Sequence, residues 1–397
     1  MSPLAAFALP VLAGMPTSPG FLDVVLKVVQ ILVVEHVLVL LGALLVWGER
    51  RVAALIQDRV GPNRVGPAGL LQPIADLLKF IFKEDVIPGH VNKVMYVLAP
   101  AIILIPALLT FAVIPFGPGM ALADVNIGIL FTLAIASLGV YGITLGGWAS
   151  NSKYALLGGV RSSAQMISYE VVLGISAVGV LLTVGSLHLN HVVEWQASHG
   201  WFLWHQPLAF FLFVTASYAE TNRLPFDLPE AETELVAGYH TEYSSMKFAL
   251  FFLAEYINMT VSSALVTTMF LGGWSLFGLE RLGWVVGILI FSAKTLALLF
   301  VYLWVRWTLP RFRYDQLMNI CWKWFFPLAL GNVLLTAAGE AFRVPFLTAW
   351  VLPVVLLGTG WLAARISWQR DPGVPVLGGV PLRGAVPGAA NLESSRS

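Results

Sequence analysis

Seven carboxylates crowd one stretch of an otherwise very apolar chain. Glu220, Asp227, Glu230, Glu232, Glu234, Glu242 and Glu255 share the window 220–255 with only two cations, Arg223 and Lys247. The window thus holds 7 of the chain's 22 acids, and seven acids against two cations leave a formal charge of −5. It lies between two apolar segments long enough to cross a bilayer. Carboxylates held together beside a low-dielectric region repel one another and resist ionisation, so some retain protons at neutral pH. Ionisable groups near a bilayer interior are costly and characteristically handle protons or ions. The chemistry indicated is proton handling.

The elements that must position these groups are membrane helices. Of 397 residues, 58% are hydrophobic and 11% charged, which excludes an ordinary soluble domain. A net charge of +1 without a basic tract gives no support for nucleic acid. Cys321 is the only cysteine, so an intrachain disulfide is ruled out, as is a cysteine-ligated iron–sulfur cluster or Cys-rich zinc site built from this chain alone. No phosphate-binding glycine motif is present. His36 is the only clear mid-span histidine, which argues against a bis-histidine haem. If electrons move here, a partner must bring them.

Nine continuous apolar segments predict spanning helices at about 21–47, 94–116, 125–149, 168–187, 202–219, 247–271, 284–307, 321–340 and 345–364. The expected fold class is all-α and polytopic. Tryptophans such as Trp47, Trp148, Trp201, Trp204, Trp304 and Trp307 collect at segment ends, where aromatic belts sit. Loops after odd-numbered segments carry fifteen basic residues against two, Arg281 and Arg343, after even-numbered ones. The positive-inside rule then puts the acid-rich window and the C-terminus in the cytoplasm and the N-terminus outside. Nothing basic precedes Lys27, so no cleavable signal peptide is expected. Residues 1–20 read as an N-terminal extension and 21–364 as the membrane domain. Residues 365–397, rich in Pro, Gly and Ser, read as a disordered tail. In 70–83, Gln72, Asp76, Lys79 and Lys83 draw one polar stripe on an oily helix too short to span. An interfacial helix and the wall of an amphipathic ligand passage both fit.

Two long runs make a family resemblance specific: GERRVAALIQDRVGPNRVGPAGLLQPIADLLKFIFKED from Gly48 and ETNRLPFDLPEAETELVAGYHTEYSSMKFALFFLAEY from Glu220. NIGILF (126–131), GGWASNSKYALLGGVRSSAQMISYE (146–170) and LPRFRYDQLMNICWK (309–323) join them in order. Together they resemble the H subunit of respiratory complex I, the bacterial counterpart of mitochondrial NADH dehydrogenase subunit 1, over about Gly48 to Pro327. The resemblance implies a multi-pass subunit of the bacterial plasma membrane within a proton-translocating NADH:quinone oxidoreductase. The chain alone would not be catalytic and would hold no flavin, iron–sulfur cluster or haem. Its substrate would be a quinone, ubiquinone or menaquinone. Implied partners are the peripheral subunits, one with the terminal iron–sulfur cluster, the antiporter-like membrane subunits and the lipid bilayer.

For individual residues the resemblance adds roles to simpler physical readings. Glu49, Arg50 and Arg51 end the first segment, as an interfacial anchor would. The resemblance assigns Glu49, Arg50 and Asp76 to quinone binding, where a permanently charged arginine can orient a carbonyl. GPNRVGP (61–67) is a shaped turn on either reading. Glu230 and Glu234 share a helical face while Glu232 projects elsewhere, and helix capping alone would account for them. The resemblance makes Glu170, Glu220, Glu230, Glu232, Glu234 and Glu255 members of an acidic proton channel. Arg223 would be their charge partner, and mid-span Lys294 a further member. Glu35 and His36, also mid-span, match nothing in the family pattern, and a carboxylic acid hydrogen-bonded to a neighbour is expected at Glu35. Arg313 and Asp315 read as structural surface contacts.

Three rival functions remain at this level. A stand-alone cation/proton transporter would use the same buried acids, although no internal repeat is visible. The membrane subunit of an energy-converting hydrogenase would share the fold. A passive scaffold would make the acids decorative.

Overall fold

The computed structural model describes residues 20–228, 236–344, most of 350–359, and the backbone of 376–377 and 380–381. Glu230, Glu232, Glu234, the N-terminal extension and most of the tail lie outside the described residues. Among the described residues of the unit that ends at Ala349 there are ten principal helices: α1 (Phe21–Ile56), α2 (Gln72–Phe82), α3 (Lys93–Phe111), α4 (Gly128–Ala149), α5 (Lys153–Val184), α6 (Leu189–His199), α7 (Pro207–Glu220), α8 (Ser245–Phe270), α9 (Trp284–Thr308) and α10 (Tyr314–Phe342). In the unit from Trp350 onward, residues 350–351, 353–356 and 358–359 are helical, and 376–377 pairs antiparallel with 380–381. The chain is an all-α, multi-pass membrane protein.

Seven helices among the described residues are long and apolar enough to span, fewer than the nine expected. The expected ninth segment, 345–364, is only partly described. The segment at 202–219 is divided: a helical turn Phe202–His205 stops at Gln206, whose extended backbone leads into Pro207 at the start of the 14-residue α7. Proline cannot donate the hydrogen bond that would carry the helix through, but it suits a first turn. The segment at 168–187 instead begins at Lys153, fifteen residues early. Its extra turns are rich in Gly and Ser, which dilute hydropathy but let α5 pack closely on its neighbours.

α5 is the central helix and packs against α4, α7 and α10, while α8 packs against α1, α3 and α9. Small residues permit the closest approaches. A Cβ at Gly142 of α4 would lie 2.8 Å from the Ile103 backbone nitrogen of α3. One at Gly158 of α5 would lie 2.7 Å from the Tyr239 nitrogen, so this glycine admits the 238–240 turn of the acid-rich loop against α5.

α1 stands at the periphery, and because it is apolar all round, packing selects which face is buried. Its buried residues Leu38, Gly42, Leu45, Glu49 and Ala53 recur every three or four positions, one stripe of a 3.6-residue helix. Val28, Leu32, Val33, Val37 and Leu40 are exposed, as a lipid-facing surface requires. Glu49 therefore turns inward with the apolar stripe, and Arg50, about a hundred degrees round the axis, does not.

Gly158→Ala should destabilise the folded protein by about 1–3 kcal/mol, since backbone rather than a movable side chain meets the new methyl. Thermal unfolding in detergent checks this, and Gly174→Ala on the same helix, whose Cβ would meet only the end of Leu133 at 4.0 Å, should unfold like the parent.

Candidate functional site

The inward stripe of α1 delivers Glu49 to a buried cluster of charges. Its Oε2 lies 3.1 Å from Arg223 Nη1 and accepts a 2.8 Å hydrogen bond from the Tyr256 hydroxyl. Its Oε1 lies 2.7 Å from Arg306 Nη1 in the last turn of α9. Arg223 also reaches α8, with Nε 2.6 Å from Glu255 Oε1, and its guanidinium lies 4.4 Å from the Tyr256 ring centre. Arg223 is only 3% exposed, Glu49 7%. Burial alone would pull the arginine's pKa down, but Glu255, Tyr256 and Glu49 overcome that and hold it well above its ordinary value. The guanidinium is a fixed charge joining two carboxylates from different helices.

The loop carrying Arg223 is tied to α5 by Gln165. The Gln165 side-chain amide donates to Ala219 O and Phe226 O at 2.8 Å and to Asn222 Oδ1 at 3.2 Å. Arg311 pairs with Asp227 at 3.0 Å on the same loop. His240 is buried among Tyr239, Phe248 and Phe252, and burial pushes its pKa down to about 4.

Arg50, on the other face of α1, pairs with Asp76 of α2 at 2.7 Å, and Gln72 donates to the second Asp76 oxygen at 3.1 Å. α2 is fastened at both ends. Trp47 Nε1 donates to Ala68 O at 3.2 Å just before it, and Ser245 Oγ donates to Phe80 O at 2.8 Å and Lys83 O at 3.0 Å at its end. Lys247 pairs with Asp85 beyond. No residue of α2 is buried, and Ile74, Leu77, Leu78 and Ile81 stay exposed. The polar stripe thus anchors an oily surface that is left open.

Beyond Arg223 the acids continue inward. Glu255 and Glu220 line one cavity with Thr221, Asn222 and Asn258. Glu220 also lines a second cavity with Thr132, Ser217, Thr221, Asn258 and Ser262, and it feels the charge of Glu170 on α5. The walls are otherwise apolar, with Leu133, Met166, Leu173 and Val261 in one and Ile103 and Ile143 in the other, so the few polar groups mark where a water could bridge carboxylates too far apart for direct contact. The fold brings together Glu49, Arg223, Glu255, Glu220 and Glu170, residues up to 206 positions apart in sequence. Arg50 and Asp76 form a pair of their own.

Other expected positions lie elsewhere. Lys294 gives its three ammonium donors to Leu271 O (2.6 Å), Gly273 O (3.0 Å) and Ser275 O (2.6 Å), and sits over the Trp201 ring. These carbonyls follow the far end of α8, roughly 24 Å along the helix from Glu255. Glu35 is half-buried, and its Oε2 has no hydrogen-bond partner, unlike the paired acid expected there; His36 instead shares a 2.7 Å contact with Leu32 O. Arg313 and Asp315 are exposed, 3.8 Å apart.

A model of the NADH dehydrogenase family matches residues 28–337, extending the resemblance beyond both ends of the motif-bearing region. The chain belongs to this family. It is 53% identical over 328 residues to an NADH-quinone oxidoreductase H subunit of Geobacter metallireducens, covering 80% of this chain and 98% of that protein. It is 55% identical to the corresponding H subunit of Rickettsia bellii, covering 79% and 93% of the two chains. NADH-quinone oxidoreductase subunit 8 of Rhodothermus marinus is 50% identical, with 77% and 94% covered. Within this NADH dehydrogenase family member, sequence reasoning missed Tyr256, Arg306, Gln165 and Asn258 as parts of the cluster. Arg306 counts among the basic residues of the loops, yet it stands within the last turn of α9. Tyr256 and Asn258 follow Glu255 closely, but only the tertiary packing turns them toward Glu49 and Glu220.

Arg223→Ala should cost about 3–5 kcal/mol, because Glu49 and Glu255 would stay buried without their shared counter-charge. A thermal melt of the purified complex measures this, and Arg306→Ala, whose partner keeps Arg223 and Tyr256, should cost less. His240 predicts a pH dependence of defined sign. With a folded pKa near 4 against an ordinary 6.5, its contribution is complete above pH 6.5 and is lost as pH falls toward 4, at up to about 1.4 kcal/mol per pH unit. His240→Leu should flatten that part of the melting-temperature profile relative to the parent.

Proposed function

We propose that this chain is the membrane subunit of an NADH:quinone oxidoreductase that lines the quinone site and links quinone reduction to proton translocation. The observation that carries the reading is the Glu49–Arg223–Glu255 bridge, with a carboxylate from α1 and one from α8 held on a single buried guanidinium. Quinone is an oily molecule with two carbonyls, so it needs apolar walls and a few charged groups. The exposed Leu and Ile side chains of α2, beside the Arg50–Asp76 pair and close in sequence to Glu49, have that character. A quinone there draws electrons from an iron–sulfur cluster in a peripheral partner and takes up two protons on reduction. This chain's part is to orient it and to move protons.

Glu49 has two cationic partners and a phenol donor, so any change of charge beside it redistributes the hold on Arg223. Arg223 then binds Glu255 more or less tightly, and Glu255 shifts its proton affinity relative to Glu220 and Glu170. The change reaches acids inside the bundle without a large motion. Glu230, Glu232 and Glu234 would extend the path, and antiporter-like membrane subunits would receive it. With the basic loops in the cytoplasm, the Glu49 cluster faces that side, the N-terminus lies outside and the C-terminus inside. Relatives near 50% identity that carry the oxidoreductase name favour this over a hydrogenase subunit or a lone exchanger.

Glu220→Gln and Glu255→Gln complexes should assemble, reduce an artificial electron acceptor normally, and lose at least five-fold in quinone-linked proton translocation into vesicles. Arg50→Ala should instead raise the quinone KM several-fold. Normal translocation in both glutamine variants would reject the acidic path.

A further inference from the structure

At the end of the bundle opposite the Arg223 cluster, two loops are joined by a titratable pair that the acidic path does not use. His188 immediately precedes α6, and its Nε2 lies 2.8 Å from Asp124 Oδ1 in the connection between α3 and α4. The same oxygen accepts a 3.1 Å hydrogen bond from Asn190 Nδ2. His188 is 9% exposed and its Nδ1 is buried with no hydrogen-bond partner, whereas the Asp124 side chain is 55% exposed. His191 stacks on His188 with ring centres 4.6 Å apart, and its Nδ1 lies 3.0 Å from Ser186 Oγ.

A cavity that contains Glu220 extends toward this pair. Its wall on α8 runs from Asn258 to Leu265, roughly 10 Å along the helix toward the end away from Arg223. It also includes Thr132, in the second turn of α4, and Thr110, one residue short of the end of α3. Thr132 Oγ1 donates to Gly128 O at 2.9 Å, one turn nearer that end. A Cβ at Gly128 would lie 3.2 Å from Leu189 Cγ, so the buried Leu189 side chain packs directly on this glycine. Ile129 N donates to Leu187 O at 3.3 Å beside it. Contacts therefore run from the cavity wall through Thr132, Gly128 and Leu189 to His188.

We propose that the His188–Asp124 pair is an outward proton-release site of this chain, with Leu189 as the apolar barrier between it and the Glu220 cavity. This rests on the reading of the acids as a proton path and of this end as the outer face, and it adds an outlet within the subunit itself. Imidazole titrates near neutral pH, and each of its two nitrogens can bind a proton. A proton taken at Nδ1 gives an imidazolium held by the Asp124 carboxylate. The Nε2 proton then passes to Asp124 and on to water, and rotation of the ring about Cβ–Cγ restores the first tautomer. One proton enters, one leaves, and no charge stays behind. His191 is the other titratable group against the ring, and a second charge on it opposes the first. Leu189 seated on Gly128 keeps water from joining the cavity to the outside, so released protons do not run back.

The test compares His188→Gln, Asp124→Asn, Glu220→Gln and the parent as intact complexes in inverted vesicles. Asp124→Asn keeps an acceptor for His188 and Asn190 and removes only the titratable acid. The expected result is a three-fold or larger fall in quinone-linked proton translocation in both pair variants. Melting temperature and artificial-acceptor reduction should stay at parental values. A second measurement reads water access instead of transport. Thr132→Cys, alone and combined with Leu189→Ala, is treated in right-side-out vesicles with a charged, membrane-impermeant thiol reagent, and labelling of this chain is read by mass. Labelling should be at least five-fold faster when Leu189→Ala is present. Parental translocation in both pair variants would overturn the release site, and so would labelling that Leu189→Ala leaves unchanged. A loss that tracks a lowered melting temperature in both variants would also overturn it, making the pair a structural tie between loops. Glu220→Gln separates the two failures. If it loses translocation while the pair variants do not, only the outlet falls; if none loses it, the acidic path falls too.

Discussion

An arginine that is almost wholly buried is the constraint on which this site depends. The Arg223 guanidinium cannot shed its charge, so the fold must surround it with counter-charge or expel it. It is surrounded: Glu49 comes from the first helix, Glu255 and the Tyr256 ring from α8, and Arg306 shares Glu49 from α9. Three spanning helices and the acid-rich loop are thereby locked at one end by a single set of ion pairs. The cost of burying these charges is met only while every partner is in place. Such a cluster is therefore both rigid and sensitive to any new charge beside it.

That sensitivity is what gives the arrangement a use. In a low-dielectric interior a unit charge acts over several ångströms with little screening. Glu49 lies in α1 next to Arg50, which holds the open, oily α2 through Asp76. Glu255 lines a small cavity shared with Glu220, Asn222 and Asn258. The two ends of the bridge thus differ: Glu49 is enclosed by Arg223, Arg306 and Tyr256, whereas Glu255 also lines the cavity that contains Glu220.

Lys294, inside α9, behaves differently. Lys294 is coordinated by three backbone carbonyls at the opposite end of α8, with an indole ring against it. A lysine held in this way satisfies orphan carbonyls at a helix terminus and anchors the turn after it. A mid-span position marks it as costly, and the cost is met by backbone oxygens in direct contact, with the Glu280 carboxylate attracting it from farther off.

Much of this architecture was legible in the chain. Apolar runs of spanning length fixed an all-α membrane fold, because lipid leaves the backbone no other way to pair its polar groups. The turn of Glu49 inward and of Arg50 outward was not legible, because α1 is apolar all round and only packing selects the stripe through Leu38, Gly42 and Leu45. Helix ends were less legible, since the Gly- and Ser-rich turns opening α5 look like a loop by hydropathy and Pro207 divides an apparently continuous segment. What only the tertiary structure decided was pairing. Nothing in the spacing of Glu49, Arg223, Glu255 and Arg306 along the chain says that one guanidinium holds two of these acids. Nor does it say that Lys294 turns to carbonyls. Local sequence sets the face a side chain takes on its own helix; which charge it meets there depends on how separate helices cross, and that is settled by packing across the whole bundle.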